Sequence, residues 1–483
     1  MSRINSNVPS LIAQRHLRVS QQDLGVSLQR LSSGLQINRG ADNPAGLIVS
    51  ERLRAEIASV NQAIDNTARA INVIATTEGA LDEVAALLID VQALVVEAAN
   101  TGAFSDEEIA ANQLQIDDAI NSITRIANTT TFAGRKLLNG QLDYVLSGVN
   151  TGQLDDVKVQ AAKFGTNAFV PVEVNLSVSA QQAQLAYPSQ FITGSATTVS
   201  LTGPDGIVSL TFPASASSVE IVNAINSRED DTGVFAVPSG TSGQSGLRIL
   251  TREYGSRATV SVQAFNPPPE FIVQDRGGSQ VTDTQGRDAE ATINGVSTNA
   301  DGLKLAVQTA NLSVQTTLDE SFGGGSIALG TSSFAIKGGG ALFQLGPRVT
   351  PNLQENIGVT NMQANRLGNA IVGYLSELQD GQRFALNTGN FIEAQKVVDE
   401  VITQVSVLRG RLGAFERNAL QTNVNQLQIT AENLTSSQAV IRDTDFAEET
   451  SELTRAQILT QAGNSILAIA NAQSQNVLTL LGG

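Results

Sequence analysis

The chain has 483 residues, enough for about three domains of ordinary size, and 41% of them are hydrophobic. It contains no cysteine and one histidine, His16, which excludes a disulfide scaffold, a cysteine-ligated zinc site, thiol catalysis and a multi-histidine metal centre. With 30 Lys and Arg against 46 Asp and Glu the net charge is −16, so the chain lacks the basic surface that a nucleic-acid partner requires.

Two further classes of segment are absent from the sequence. No apolar run reaches the roughly 18 residues of a transmembrane helix, so no membrane partner is expected. The first residues, Met1 to Asn7, lack the apolar stretch of a cleavable signal peptide. If the protein leaves the cell, it needs another route.

Prolines and aromatic residues divide the chain into two arms and a middle. The first aromatic residue is Phe104 and the last is Phe446, and ten of the 12 prolines lie in the middle. Proline breaks helix interiors. The proline-poor arms, about 45–165 and 352–483, therefore predict long helices, whereas the middle, rich in Gly, Ser and Thr, predicts strands and turns.

Heptad spacing of apolar residues predicts a helix from about 46 to 99, on the order of 80 Å long. The pattern is interrupted at Thr67, Glu78 and Ala85. Such a rod needs a partner helix. Its apolar positions are Leu53, Ile57, Val60, Ile64, Ile71, Ile74, Leu81, Leu88 and Val95.

A shorter helix is predicted over 106–127. Ser105 precedes it and Glu108 follows three residues later, the spacing of a capping box. The C-terminal arm repeats the heptad spacing at Leu420, Leu427, Leu434 and Ile441, and so offers the partner that the long helix needs.

The middle, about 166–340, predicts a β-rich insert. Two alternating strands flank Pro204-Asp205-Gly206, which is a turn sequence. A short helix over 219–226 has Ser217 or Ser218 as its cap. Further segments predict strands at 234–237, 247–250 and 258–262 and a stiff linker at 266–269.

Both chain ends carry weak amphipathic stripes among Gln, Ser and Asn, with few ion pairs to support them. Helices of this kind need tertiary packing to be stable in water. We therefore expect the ends to pair across chains and to bury their stripes there, at about 25 cal/mol per Å². The predicted assembly interface comprises Leu17, Leu24, Leu28, Leu31, Leu459, Ile466, Ile469, Val477 and Leu480.

No polar cluster in the sequence predicts catalysis. His16 has no acidic or cysteine neighbour and is interpreted as a packing or solvated residue. The acid runs Asp117-Asp118 and Glu229 to Asp231 lack the alternating oxygen ligands of a cation-binding loop, so they are interpreted as solvated faces. We predict no metal site, no cofactor and no enzymatic activity.

Motifs at both ends resemble the bacterial flagellin family. At the N-terminal end these are Leu31-Ser-Ser-Gly-Leu-Gln-Ile-Asn-Arg-Gly-Ala-Asp42 and Pro44-Ala-Gly46, and at the C-terminal end they are Arg455 to Gly463 and Asn476 to Leu481. Thr130 to Asn139 is similar to the turn after the family's second helix, and 197–262 resembles the flagellin hook IN motif.

The resemblance implies a mainly α fold with long antiparallel coiled-coil helices from both chain ends and a central β-rich α+β insert. In the family's terms, the inner D0 and outer D1 parts are each built from both ends. The implied segments are an N-terminal D0 helix and spoke (1–45), N-terminal D1 helices and hairpin (46–165), an outer variable domain (166–340), a C-terminal D1 strand and helices (341–443) and a C-terminal D0 helix (444–483).

The resemblance also implies a self-polymerising subunit of the extracellular flagellar filament, exported unfolded by the flagellar type III apparatus. Implied partners are copies of itself, an export chaperone, and hook-associated and cap proteins. A hook–filament junction or cap protein and an adhesin are the alternatives. A zinc protease carried in the insert is excluded, because 166–340 contains no His or Cys.

Two sets of site residues follow from the resemblance. Gly34, Asn38, Asp42 and Gly46 form a spoke turn between the inner and outer helices, or else an ordinary interhelix loop.

The second set would face the host toll-like flagellin receptor. Leu94 matches the family motif, but Ile89 and Asp90 occupy the positions of a glutamine and an arginine, and Gln115 that of an acid. A reversed charge at a central contact weakens binding by a few kcal/mol, so we expect weak receptor activation.

Overall fold

The computed structural model describes residues 7–165, 167–187, 196–239, 246–265, 272–309, 311–325 and 330–481, and side chains as far as Ala472. The described chain forms two compact units. The first contains the residues up to Arg69, the segment Gln344–Val349 and the residues from Arg417 onwards. The second contains Ala70–Phe343 and Thr350–Glu416.

Four helices build the first unit: α1 (Val8–Ser33), the beginning of α2 (Pro44–Ala98), α8 (Thr422–Arg442) and α9 (Phe446–Leu481). Helix α1 starts where the Asn7 side chain accepts a hydrogen bond from the Ser10 N–H at 3.1 Å. It ends at Gly34, whose N–H donates to the Arg30 carbonyl at 2.8 Å. These two caps satisfy backbone groups that every helix end leaves without an intrahelical partner.

Helix α2 confirms the predicted long helix but corrects its buried face. Thr67 is fully buried instead of interrupting the pattern. Its hydroxyl donates to the Ala63 carbonyl at 2.8 Å and accepts from the Asn423 amide at 3.1 Å. Ile57 and Ile64 are only half-buried. The buried rows are Val60, Thr67, Ile74, Leu81, Leu88 and Val95, and Ala63, Ala70, Thr77, Val84, Val91 and Ala98.

The helices of the second unit include the rest of α2, α3 (Asp106–Thr129) and α7 (Phe391–Phe415). The predicted capping box of α3 is confirmed, because the Glu108 N–H donates to Ser105 Oγ at 3.3 Å and the Ser105 N–H donates to Glu108 Oε2 at 2.8 Å. A π-helical turn, Glu416–Gln421, follows α7 and leads into α8.

The β-rich middle contains two hydrophobic cores. The first lies between a five-stranded sheet, β14-β13-β5-β18-β3, and a four-stranded sheet, β15-β16-β17-β4. Their strands are β3 (Tyr144–Ser147), β4 (Leu154–Ala162), β5 (Val170–Val178), β13 (Glu290–Ile293), β14 (Val296–Ser297), β15 (Asn299–Asp301), β16 (Lys304–Gln308), β17 (Leu312–Leu318) and β18 (Thr331–Gly339).

In the sequence, the strands of the second core lie between β5 and β13 of the first core. The second core lies between the sheets β6-β10-β9 and β12-β11-β7-β8 and is closed by α4 (Ser218–Asn226). The strands are β6 (Gln182–Tyr187), β7 (Thr197–Thr202), β8 (Ile207–Phe212), β9 (Val234–Ser239), β10 (Gly246–Tyr254), β11 (Thr259–Phe265) and β12 (Asp283–Gln285).

The strand predictions in this region are confirmed. Strands β7 and β8 pair around Pro204-Asp205-Gly206 as an antiparallel hairpin. The cap of α4 is Ser217, whose hydroxyl accepts the Glu220 N–H. Strands β3 and β4, N-terminal to the predicted start of the insert, pair with β18 and β17. Residue 166 and the predicted linker 266–269 lie outside the described residues.

The remaining elements are short. They are β1 (Thr131–Phe132), β2 (Arg135–Lys136), β19 (Ala341–Gln344), β20 (Gln354–Ile357), β21 (Gly368–Asn369), β22 (Gly373–Tyr374), α5 (Glu229–Thr232) and α6 (Glu320–Gly323), with 3₁₀ turns at Pro351–Leu353, Leu375–Leu378 and Leu386–Thr388.

Candidate assembly interface

The terminal helices α1 and α9 pack along each other in the first unit. Their least exposed residues recur at alternating spacings of three and four, as expected where one helix lies along another. On α1 these are Ser10, Ala13, Leu17, Ser20, Leu24, Ser27 and Leu31. On α9 they are Glu449, Leu453, Ala456, Thr460, Gly463, Leu467 and Ala470.

Hydrogen bonds and one ion pair define the seam between these helices at its two ends. Ser10 Oγ donates to Asn471 Oδ1 at 2.9 Å. Arg30 and Glu449 form an ion pair at 3.3 Å, in which the Glu449 side chain is only 8% exposed. These contacts hold α9 against α1 near both ends of α1.

Small residues let the two helices approach closely along the seam. A Cβ placed on Gly463 would lie 3.2 Å from Leu17 Cδ1, tighter than an ordinary carbon–carbon contact. The leucines on the seam of α1 alternate with Ala and Ser, and Leu17 lies against Gly463 of α9. The sequence predicts this seam through its row of small residues. The predicted interface included only large apolar positions and therefore missed that row.

The predicted interface residues divide into two groups. Leu17, Leu24 and Leu31 are half-buried and lie on the seam. The other described members are exposed: Leu28 by 51%, Leu459 by 50%, Ile466 by 56% and Ile469 by 65%. The side chains of Val477 and Leu480 lie outside the described residues.

Exposed large apolar side chains continue this outer surface beyond the predicted set. On α1 they line a shallow groove together with Arg15 and Arg18. We call the exposed apolar residues of α1 and α9 the open face. Its members are Val8, Leu11, Ile12, Val19 and Leu28 on α1, and Phe446, Ile458, Leu459, Ile466 and Ile469 on α9.

The predicted spoke turn is an ordered segment held by its own polar side chains. Asp42 Oδ2 accepts the N–H groups of Arg39 at 2.7 Å and Asn38 at 2.9 Å. These two hydrogen bonds hold the pKa of the Asp42 carboxyl below its ordinary value. The Asn38 amide in turn donates to the Leu35 carbonyl at 2.8 Å.

Backbone pairing joins the predicted spoke turn to the segment that precedes α9. The Gln36 N–H donates to the Arg442 carbonyl at 2.7 Å, and the Thr444 N–H donates to the Gly34 carbonyl at 3.0 Å. Gly46 lies where α2 begins, and a Cβ there would stand 2.7 Å from Ile37 Cδ1. This position therefore accommodates only glycine without a shift of its neighbours.

Helix α2 contacts α8 within the first unit. Val60 and Ala63 form a small core with Leu427. Arg442 donates to Glu51 at 2.8 Å. Hydrophobic and charged contacts thus hold this part of the first unit together.

The predicted receptor-facing residues lie on α2 and α3 in the second unit. Asp90 and Leu94 on α2 and Gln115 on α3 line the same shallow groove. Ile89 is not among the residues that line it and is 58% exposed. The structure therefore brings three of the four predicted positions, Asp90, Leu94 and Gln115, to one groove.

Long helices from both chain ends, an open apolar face and a β-rich middle define the class of fibrous structural subunits. Family models for the bacterial flagellin N-terminal and C-terminal helical regions match residues 4–143 and 395–481. Flagellin of Salmonella rubislaw is 30% identical over 508 residues, covering 99% of each chain. B-type flagellin of Pseudomonas aeruginosa is 28% identical over 493 residues, again with 99% of each chain covered.

The chain belongs to the bacterial flagellin family. It is a structural subunit of the flagellar filament and not an enzyme. The family-model matches do not include 197–262, so the likeness of that stretch to the hook IN motif stays a prediction. Among the described residues, the helices are too short or too polar to span a membrane.

Proposed function

We propose that filament growth buries the open face of α1 and α9 between neighbouring copies, and that this burial drives polymerisation for swimming motility. The observation that carries the proposal is the exposure of ten large apolar side chains on a helix pair whose inner seam is already closed. Exposed apolar surface that is rimmed by polar residues is typical of an interaction site.

We infer that α1 and α9 form an antiparallel coiled coil. The support is that contacts on α1 at residues 7, 10 and 30 meet α9 at residues 470, 471 and 449. Helices α2 and α8 are inferred to pair in the same sense, because Thr67 contacts Asn423 and Glu51 contacts Arg442. Heptad repeats on both α1 and α2 agree with this packing.

The open-face side chains are 45–65% exposed, so about half of each is already covered. Complete burial then contributes roughly 1 kcal/mol per side chain. Ten such contributions are of the same order as the loss of translational and rotational freedom on association, about 4–15 kcal/mol. Burial of the open face on both helices therefore offsets a cost of about the same size.

We further propose the five-segment division 1–45, 46–165, 166–340, 341–443 and 444–483, with secretion through the flagellar type III apparatus to the extracellular filament. A chain without cysteine cannot cross-link before export. The export chaperone is expected to bind the C-terminal region, and hook-associated and cap proteins to contact the filament ends. These partners follow from the family alone.

The test is a pair of substitutions on the open face. The double variant Ile466→Ser plus Ile469→Ser is expected to stay monomeric under conditions in which the unmodified chain forms filaments, because two exposed apolar contacts are removed from each copy. Removal of residues 464–483 is expected to have the same effect. Sedimentation and negative-stain electron microscopy measure the outcome.

The matched control is Val219→Ser plus Val296→Ser, two similarly exposed apolar residues of the β-rich middle. It is expected to polymerise normally. Normal filaments from the α9 double variant, with unchanged helix content in the monomer, would contradict the proposal.

We also propose that the chain activates the toll-like flagellin receptor weakly. The support is that Asp90, which lines the groove, and the exposed Ile89 occupy the positions of the family's arginine and glutamine. Ile89→Gln plus Asp90→Arg is expected to raise potency in a reporter-cell titration at least tenfold, since a repaired charge contact contributes a few kcal/mol.

The chain offers a matched control one heptad further along α2. Val96 and Glu97 are another exposed apolar–acid pair, and Val96→Gln plus Glu97→Arg is expected to leave potency unchanged. Strong activation by the unmodified chain, or equal gains in both variants, would remove the basis of this proposal.

A further inference from the structure

Charge divides the paired helices α1 and α9 into two unlike ends. The hydrogen bond between Ser10 and Asn471 lies at one end, and the ion pair between Arg30 and Glu449 lies at the other. We call the first the basic end and the second the acidic end. The basic end consists of residues 8–22 and 456–472, and the acidic end of residues 23–33 and 446–455.

The basic end carries arginines and no acidic residue. Arg15 and Arg18 are both exposed on α1, and the first acidic residue of the whole sequence is Asp23. The sequence from residue 456 to residue 483 contains no charged side chain. Within the part of the chain that the structure describes, neither arginine belongs to an ion pair. A chain with a net charge of −16 thus keeps two unpaired positive charges at this end.

The two arginines line the shallow groove of α1 among apolar side chains, and we call it the α1 groove. The apolar members are 45–60% exposed. An exposed apolar groove beside unpaired arginines is complementary to an occupant with an apolar centre and acidic edges. The apolar members are Val8, Leu11, Ile12 and Val19.

The acidic end of the same helix pair has that chemistry. Phe446 is 57% exposed at the start of α9, and the exposed Glu448 lies two residues further on. Glu452 pairs with Arg455 at 2.8 Å, but its side chain is still 48% exposed. Residues 443–452 contain five acidic residues and no basic one. An exposed aromatic ring thus lies next to exposed carboxylates.

The spacing of the charges also matches between the two ends. Arg15 and Arg18 are three residues apart on α1, and Glu448 and Glu452 are four residues apart on α9. Each pair therefore lies on one face of its helix, with about 5–6 Å between the Cβ atoms. Two unlike, complementary surfaces on one molecule make a head-to-tail contact, which continues from copy to copy into an open filament.

We propose that the α1 groove receives the beginning of α9 from the next copy in the filament. Phe446 packs against the apolar members of the groove, and Glu448 and Glu452 lie beside Arg15 and Arg18. The inference rests on the proposed function and deepens it, because it states which part of the open face meets which part of the neighbour. The ion pairs orient the contact, whereas the net charge of −16 acts between all surfaces of the two copies.

Charge reversal in the full chain tests this pairing. The α1 variant is Arg15→Glu plus Arg18→Glu, the α9 variant is Glu448→Arg plus Glu452→Arg, and the quadruple variant carries all four changes. In about 0.01 M sodium chloride we expect each double variant to raise the critical concentration for polymerisation about tenfold. The quadruple variant is expected to return it to within about twofold of the unmodified chain, because opposite charges then face each other again. Sedimentation measures the critical concentration, and circular dichroism records the helix content of each monomer.

Net charge alone predicts a different result. The α9 variant is less negative than the unmodified chain, so weaker repulsion by itself would lower its critical concentration. The matched control for the α1 variant is Arg248→Glu plus Arg276→Glu, which changes the net charge equally at two exposed positions of the β-rich middle. This control is expected to raise the critical concentration by no more than about twofold.

Three outcomes overturn the inference. They are an equal loss in the control, no rescue by a quadruple variant of unchanged helix content, and normal polymerisation of the α9 variant while the α1 variant fails. The last outcome assigns the α1 groove to a different surface or partner.

The absence of cysteine permits a second test that does not depend on charge. Leu11→Cys plus Ala447→Cys places one thiol in the α1 groove and one beside Phe446, both at exposed positions. Leu11 lies roughly 28 Å along α1 from Arg30, which pairs with α9 close to Ala447, so a short bismaleimide does not bridge the two thiols within one copy. Filaments treated with the reagent are expected to give a ladder of dimers, trimers and longer products on denaturing electrophoresis, since each copy is linked to both neighbours.

The controls are the two single-cysteine variants, which are expected to give no ladder, and double-cysteine protein that is depolymerised before treatment. Intact filaments with no ladder, or with dimers alone, overturn the inference and leave the proposed function standing. Failure of the unmodified chain to form filaments removes the proposed function and this inference with it.

Discussion

Single glycines decide where α1 ends and how stable it is. Gly34 ends the helix at a φ of 72°, in the left-handed region, whereas Gly25 lies within the helix with no atom near its missing Cβ. A Cβ costs about 1 kcal/mol in the left-handed region, and alanine in a helix interior gains about 1 kcal/mol over glycine. Identical substitutions at these two positions thus have opposite effects.

Gly34→Ala is expected to destabilise the α1–α9 pair by about 1 kcal/mol, and Gly25→Ala to stabilise it by about as much. Amide hydrogen exchange of α1 in the monomer measures both, with slower exchange expected for Gly25→Ala. A similar shift in the same direction from both variants would show that the left-handed cap at Gly34 does not control the helix end.

At the scale of elements, the spacing of buried residues changes at the π-helical turn after α7. Val398, Val405 and Leu412 are buried at a spacing of seven, yet the next buried residue, Leu420, comes eight residues later, and Leu427 then follows after seven. A π-helical turn accommodates one extra residue. The turn Glu416–Gln421 lies within this eight-residue step.

Deletion of the exposed Asn418 is expected to restore a spacing of seven and to convert the turn into an α-helix. The variant should fold with an unchanged or higher thermal midpoint, because the buried rows before and after the turn then continue without a bulge. Deletion of the exposed Ser406 in α7 is the control, and it should lower the midpoint by several degrees since it moves buried residues out of phase. Equal losses from both deletions would contradict this role of the turn. Circular dichroism measures both.

For the whole molecule, the net charge of −16 opposes assembly. Copies that approach within a filament repel one another, and dissolved salt screens that repulsion, with a Debye length of about 30 Å at 0.01 M and about 8 Å at 0.15 M. This screening does not weaken burial of the apolar open face. Added salt therefore shifts the equilibrium towards the filament.

The critical concentration for polymerisation is therefore expected to fall several-fold between about 0.01 M and about 0.15 M sodium chloride. Sedimentation of filaments at a series of protein concentrations measures it. A critical concentration that rises with salt would show that attractive ion pairs between copies outweigh the net repulsion.

Much of the fold could be predicted from local pattern alone. Heptad spacing located α2, a Ser–x–x–Glu box located the start of α3, and the Pro-Asp-Gly turn located the β7–β8 hairpin, because each depends on residues close in the chain. The second predicted row of α2, which includes Ile57 and Ile64, is only half-buried, although Ile64 packs against the small core around Val60. Ala63 and Ala70 are buried where Ile57 and Ile64 were expected, since a helix can bury either flank of its main row and its neighbours decide which.

The sequence by itself determined the helical arms, the β-rich middle and, through the motifs at both ends, the family. Only the tertiary structure decided which apolar residues are covered within one copy and which remain exposed. Leu24 and Leu28 belong to one amphipathic stripe, yet Leu24 lies on the seam with α9 and Leu28 is exposed. The physical reason is that helical periodicity specifies a face, whereas burial depends on a partner helix more than 400 residues away in the chain.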